Sequence, residues 1–495
     1  QKLDVDGQIR LRGGSPGTGK ILTSDADGTA SWQTLTIPNY WTAVGNNIYS
    51  NNTGNVGIGV TSPTAKLHVL GDALINEITV GAGSGNNPTN SAFGYQPLYS
   101  NTTGTYNTAI GRSALYFNTT GEKNIGVGFR SLYNNKGNSR STAIGYDAMY
   151  FADNRISGRE TFNTAVGYEA LRGSSIPGNN IGQYNTAIGD QALYSNTSGW
   201  FNTAGGSASL YANTTGNHNT AMGNSALDGN STGSSNIAFG NWALSNNNTG
   251  SNNVAIGYYA LGENTSNTNV VSNTVIGYYA GGKITTGYGN VVIGEETGRN
   301  ISTGYDNVWI GKKIGNSGTI TYNNTIILGA NTSLPAASNR THIGNTSMTW
   351  IGGQVTWSTY SDMRFKNNVK SDIPGLDFIL KLKPVSYQWD VDALNQKLGV
   401  NTDETSPNSK DIENIRQTGF LAQEVEEAAI SCGYDFSGID KTGDVYSLSY
   451  SQFVVPMVKA MQEQQSLIES QQAKLNSQQL LIEELIHRLE QLENR

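Results

Sequence analysis

A chain of 495 residues exceeds one ordinary domain, and 60 Gly, 25 Tyr and only 14% charged residues set it apart from common enzymes. The net charge of −7, without a basic block, excludes a nucleic-acid groove; one Cys (Cys432) excludes an internal disulfide framework, and four scattered His leave no metal cluster. No run of 18 apolar residues occurs, so no membrane insertion is expected.

In chain order, Gln1 stands where an initiator Met would, either as the edge of a longer chain or as the residue left after removal of a signal peptide. Residues 1–89 are expected to form a β connector or attachment region. Within it Gly14, Gly19 and Lys20 fit G-x-x-x-x-G-K, the nucleotide-phosphate loop. Ile21 occupies the place of the magnesium-binding hydroxyl, and "ILTSDADGTASWQ" has no apolar stripe at helical spacing. The stretch is therefore read as a β-turn, and no cofactor is expected. The alternating "LDVDGQIRLR" before it suggests a strand.

From residue 90 to 344 the chain is self-similar. "NTAIG" at Asn107 recurs as "NIGVG" at Asn124, "NTAVG" at Asn163, "NTAIG" at Asn185, "NTAMG" at Asn219, "NIAFG" at Asn236 and "NVAIG" at Asn253. Counting "NSAFG" at Asn90, "STAIG" at Ser141 and copies at Asn202, Asn273, Asn290 and Asn307, the steps are 17 residues except for two of 22 and one of 20; "TIILG" from Thr325 comes one residue late. Each copy offers one short strand, a closing Gly, a second short apolar segment and an Asn/Gly turn. No copy can fold alone, but stacking at about 4.8 Å buries Ala, Ile and Leu in continuous columns. The longer steps should bulge as loops, and the leading Asn should form a ladder between layers. Gly, Asn and Thr disfavour helices up to about residue 350. Asn-x-Ser/Thr triplets fit glycosylation acceptors, though periodic turn chemistry explains them more simply.

These copies resemble the "NSVAIG"-type heads of trimeric autotransporter adhesins, which are β-rolls. "GNVGIGVTSPTAKLHVLGD" (Gly54–Asp72) and "GKILTSDADGTASW" (Gly19–Trp32) look like connector segments of phage tail fibres and of related secreted proteins of Bacteroidota. The expected fold is thus mainly β: a homotrimeric parallel β-roll or β-solenoid fibre of 17-residue repeats, then a linker at 345–360, a small α+β domain at 361–456 and a C-terminal trimeric coiled coil at 457–495.

The composition changes near residue 360: residues 361–495 hold 34 of the 69 charged residues and only six Gly. "SDMRFKNNV" (Ser361–Val369), "LKLKPVSYQW" (Leu380–Trp389), "GFLAQEVEE" (Gly419–Glu427) and "YSLSYSQFVVPMVKAMQEQQ" (Tyr446–Gln465) follow in an order that resembles the self-processing intramolecular chaperone domain of phage tailspikes, endosialidases and other trimeric fibres. The resemblance implies assembly of three chains, then cleavage of the Tyr360–Ser361 bond with Ser361 as nucleophile and Lys366 as general base. A lysine serves as base only when burial removes its proton. Arg364 would help and Asp362 would oppose unless paired elsewhere. Five residues of α-helix turn about 500°, so Ser361 and Lys366 cannot share a helix face; they must meet through a turn, an extended segment or a trimer interface. From Met461 one heptad seam takes Met461, Ile468, Leu475, Ile482 and Leu489, the other Gln464, Gln471, Gln478, Leu485 and Leu492.

Together these features point to an extracellular trimeric fibre of a bacterial cell surface, binding a surface glycan or protein receptor and attached by its N-terminal end to a larger filament or tail component. A phage tail fibre, located in the virion tail, is the alternative. A polysaccharide-degrading tailspike is disfavoured, because Glu295 and Glu296 are adjacent and no carboxylate pair recurs. Trp200, Trp242 and the "GYYA" pairs could stack on sugars or pack the shaft. Any enzymatic activity is confined to one self-cleavage.

Overall fold

The computed structural model describes residues 13–15, 17–34, 41–44, 47–50, 54–263, 270–316, 318–332, 337–355, 357–399 and 412–494. The chain divides into two compact units, Gln1–Ala73 and Leu74–Arg495.

In the first unit, strand Lys20–Ser24 pairs antiparallel with Ala30–Thr34. Asp25 closes the turn, its Oδ1 accepting from the backbone N–H groups of Asp27 at 3.1 Å and Thr29 at 2.8 Å. Lys20 opens a strand rather than a helix, and its Nζ donates to the Ser15 carbonyl at 2.8 Å. Among the described residues no helix N-terminus faces Gly14 or Gly19, and Gly17–Gly19 leads by a turn into the strand that begins at Lys20. The strand suggested at 3–12 lies outside the described residues. Gly54–Asp72 contributes a parallel pair, Val56–Ile58 with Leu67–Val69.

The second unit contains a parallel β-solenoid. Strand Ile78–Gly81 runs antiparallel to Ser91–Gly94; from there every strand pairs parallel with the next, to Thr341–Ile343. Fifteen strands result, each beginning one residue after the leading position of a copy. The fifteenth was not among the copies read from the sequence. There Arg340 replaces the leading Asn and His342 the central Ala, so the motif is unrecognisable although the pairing persists.

Each rung has one strand, of three residues in all but the first; the expected second segment is a turn. It carries non-glycine residues at positive φ, such as Ser113 at 56° and Leu115 at 52°, incompatible with a strand. The turn is still tied to both neighbours: Ser113 N donates to the Tyr95 carbonyl at 2.8 Å and Leu115 N to that of Ser131 at 2.9 Å. Leu115 is wholly buried with Ala109 and Ala114, and packing holds its unfavourable backbone.

Glycine closes the strand for a steric reason. Gly206 has φ of 131°, and a Cβ there would lie 2.5 Å from the Gly223 carbonyl oxygen of the next rung. The leading asparagines form the expected ladder. Asn219 Oδ1 accepts from Asn236 N at 3.0 Å, and Asn236 Nδ2 donates to the Gly250 carbonyl at 2.9 Å. A second buried ladder runs through the turns: Asn213 Nδ2 donates to Asn196 Oδ1, Asn230 to Asn213 and Asn247 to Asn230, at 2.8–3.0 Å.

Towards the C-terminal end the core is exchanged in concert. Val275 and Val292 replace the central Ala, Gly281 and Gly298 replace the buried Leu, and Ile284 and Ile301 occupy the second Asn ladder. A Cβ on Gly298 would come within 2.9 Å of Ile301 and Val292, so the volume moves between positions rather than growing.

The two long insertions among the described residues are anchored from below. Asp153 is buried and paired with Arg155 and Arg159, and Asn180 Nδ2 donates to the Phe151 carbonyl at 2.5 Å. Ile156 and Ile176 at their tips are exposed. The third insertion falls mostly outside the described residues.

After the last rung comes a small α+β region. Helices α1 (Leu376–Ile379), α2 (Val391–Leu398) and α3 (Ala422–Ser431) accompany a strand pair, Val385–Tyr387 with Gln417–Gly419. Asp390 caps α2, accepting from Ala393 N at 2.8 Å, and Gly399 ends it at φ 67°. Phe378, Val425, Phe436 and Phe453 form the core. Helix α4 (Val454–Glu493) follows, with Pro456 tolerated in its first turn. Glu463 of α4 accepts from Leu376 N at 2.8 Å, and Arg340 of the last rung pairs with Asp440 and donates to Thr442.

Candidate functional site

Among the described residues, the chain between the last rung and α1 forms no strand; a turn at Asn345–Met348 is followed by one 3-10 turn, Met363–Phe365. Asp362 caps that turn, its Oδ1 accepting from Arg364 N at 2.9 Å. Its carboxylate also pairs with the Arg364 guanidinium at 2.6 Å, which holds the Asp362 carboxyl below the usual carboxylate range. Asp362 is thus neutralised by the neighbouring Arg364, not by Lys366.

The turn reverses the chain just enough to bring Lys366 back over Ser361. Nζ donates to the Ser361 hydroxyl at 2.6 Å, within one chain and without a helix. Both side chains are open to solvent, and Tyr360, before the serine, is fully exposed. A hydroxyl can be activated at this distance, but an amine in this contact donates its proton; a shift to acceptor requires that water be removed.

Sequence reasoning missed the apolar residues around this pair. Trp357, Met363, Phe365 and Val369 are each at least 74% exposed, flanking the polar motif with surface that water disfavours. Their signal was present, since apolar residues alternate with the charged ones in "SDMRFKNNV", but the motif drew attention to its polar positions alone.

Residues 361–434 match the family model described as the chaperone of endosialidase. The match covers the candidate pair, the α+β core residues Phe378 and Val425, and α3, and it stops before α4. No curated protein and no solved structure matches the chain. A parallel solenoid followed by this chaperone segment fits a fibre of the tail-fibre or tailspike kind.

Other candidates resolve differently. Glu295 and Glu296 sit in a turn rather than on a strand, and they pair with Lys312 and with Arg299 and Lys313 respectively, so neither carboxylate is free for acid–base work. The Asn-x-Ser/Thr triplets at Asn101, Asn118, Asn196, Asn213, Asn230 and Asn247 coincide with the buried second ladder, which excludes them as acceptors in the folded chain. Aromatic side chains form columns along the rungs: Tyr99, Tyr116, Tyr133 and Tyr150 stack with ring centroids 4.9–5.3 Å apart, and Trp242 stacks on Tyr259. Stacking hides the ring faces that a sugar would use. No described helix is long and apolar enough to cross a membrane.

Proposed function

We propose that the protein is an extracellular homotrimeric fibre of a bacterial cell surface whose C-terminal region brings three chains into register and then cuts itself free at Tyr360–Ser361. Ser361 attacks the Tyr360 carbonyl carbon and Lys366 takes its proton. The Tyr360–Ser361 C–N bond then breaks as its nitrogen takes that proton back from Lys366 and becomes the free amine of Ser361; water hydrolyses the remaining ester between the Tyr360 carbonyl carbon and Ser361 Oγ, leaving Tyr360 as a free carboxylate and Ser361 with its hydroxyl restored. The repeat shaft remains to bind a glycan or protein receptor, and the N-terminal unit attaches it to a larger assembly.

The observation that carries this reading is the 2.6 Å Lys366–Ser361 contact inside the chaperone-like segment, surrounded by exposed apolar side chains. Association of three chains would cover those side chains and dry the pair, which makes cutting conditional on assembly. Parallel stacking of distant segments nucleates slowly, and a C-terminal clasp raises the effective concentration of the three chains.

Intact-mass measurement on the purified trimer tests the reading. Residues 361–495 are 135 of the 495 residues of a 52.9 kDa chain, so cleavage releases a fragment of about 14 kDa beginning at Ser361. A stable trimer that holds only 52.9 kDa chains, or fragments cut elsewhere, refutes it. The chaperone match equally favours a phage tail fibre as the second reading. Antibody against the shaft, imaged on cells and on virions, separates the two.

A further inference from the structure

We infer that the outward face of the solenoid strands is the surface on which the shafts of neighbouring copies pack. Each strand turns its central residue inward and its first and third residues outward. The third positions form a column that includes Ile110, Ile144, Ile188, Ile256 and Ile310, each between 37% and 52% exposed. The first positions are Ser, Thr, Val or Ile throughout. No Asp, Glu, Lys or Arg occupies either position in any of the fifteen strands, whereas the turns carry all the charged residues of the rungs. Where the column has a gap, at Gly205, the Met222 side chain of the next rung lies over it and keeps the surface level.

The extent of this face decides what covers it. Fifteen rungs at about 4.8 Å make it roughly 70 Å long, and three residues of strand make it roughly 10 Å wide. The resulting area, on the order of 700 Å², exceeds the apolar patch a monomer usually tolerates and is close to the share each partner gives to a stable interface. A partner must present an apolar face of the same length and rung spacing, and a second copy of this chain does. Later in the chain Trp350, Ile351, Val355 and Trp357 are also exposed, and so is the heptad stripe of α4, which itself needs a like helix. Aligned packing of sheet on sheet follows.

The inference rests on the trimer reading, and the experiment separates the two. In a Cys432→Ser background, Ile144→Cys, Ile188→Cys and Ile256→Cys are made singly, with Ser198→Cys on a turn as control, and each full-length protein is treated with a short bis-maleimide. Light scattering reports the number of chains and denaturing gels report the links. A trimer in which the three strand variants link chain to chain, and Ser198→Cys does so at least tenfold less, supports the inference. A trimer linked only through Ser198→Cys, or through none, overturns this face and leaves the trimer standing. A monomer overturns both.

Discussion

Lys366 donates to the Ser361 hydroxyl across a single 3-10 turn, whereas Asp362, four residues before the lysine, is held by Arg364. The two polar pairs therefore interleave without sharing a partner. Substituting Lys366→Met removes the candidate base and leaves the Asp362–Arg364 cap intact. Appearance of the 14 kDa fragment should slow by at least about 100-fold, with the number of chains unchanged. Time-resolved gels with light scattering check both halves; cleavage at the parental rate would remove Lys366 from the chemistry.

The closing glycines set a steric limit on every rung. Gly206→Ala places a methyl group 2.5 Å from the Gly223 oxygen at a φ of 131°, so the loss should be on the order of 3 kcal/mol. Gly17→Ala, with nothing within 4 Å and an ordinary φ, should fall within about 0.5 kcal/mol of the parent. Urea unfolding of the two full-length variants compares them.

The second Asn ladder has a direction, and its ends differ from its middle. Each Nδ2 donates to the preceding Oδ1, and among the described residues the Oδ1 atoms of Asn135 and Asn247 are buried without a donor. Asn230→Leu strands Asn213 Oδ1 and removes one of the two acceptors of Asn247 Nδ2, which keeps the Gly250 carbonyl, whereas Asn247→Leu strands Asn230 Oδ1 but also removes an acceptor that is already unsatisfied. The Asn230 variant should be less stable than the Asn247 variant by about 1 kcal/mol. Equal unfolding midpoints would contradict the directional account.

Burial pushes the Asp228 carboxyl up to about 6 from its usual 3.8, in spite of hydrogen bonds from Gly229 and Ser225. Below about pH 4 the folded and unfolded chains both hold this proton. Between about 4 and 6 the folded chain keeps it and the unfolded chain does not, so this group's contribution to stability falls as pH rises and stays low above 6. Asp228→Asn should therefore gain in melting temperature relative to the parent as pH goes from 4 to 7. A difference that is flat with pH would dismiss the effect.

Much of the shaft was legible because the same chemistry recurs at the same spacing: leading Asn, central Ala and closing Gly each answer a contact with the adjacent rung. The fifteenth rung escaped because it lies against the α+β region and not another rung, so Arg340 and His342 meet different demands. The exchange of Leu261 for Gly281 and of Asn247 for Ile284 was hidden because it compensates through space, between positions three residues apart on a turn. At the candidate site, spacing excluded a shared helix face, and the 3-10 turn is the local solution. That both side chains remain wet in one chain is a property of tertiary surroundings, which no local pattern encodes.

Arg340 gives the stack a terminus as well as a contact. Most interior rungs present their successors with the same asparagine, alanine and glycine, so whole rungs can be duplicated or lost without redesigning their neighbours. The final one can accept no successor, since its arginine is committed to Asp440. Reach is then free to vary among descendants of such a gene while the end that receives the clasp stays constant, and changes of length should accumulate on the far side of that arginine.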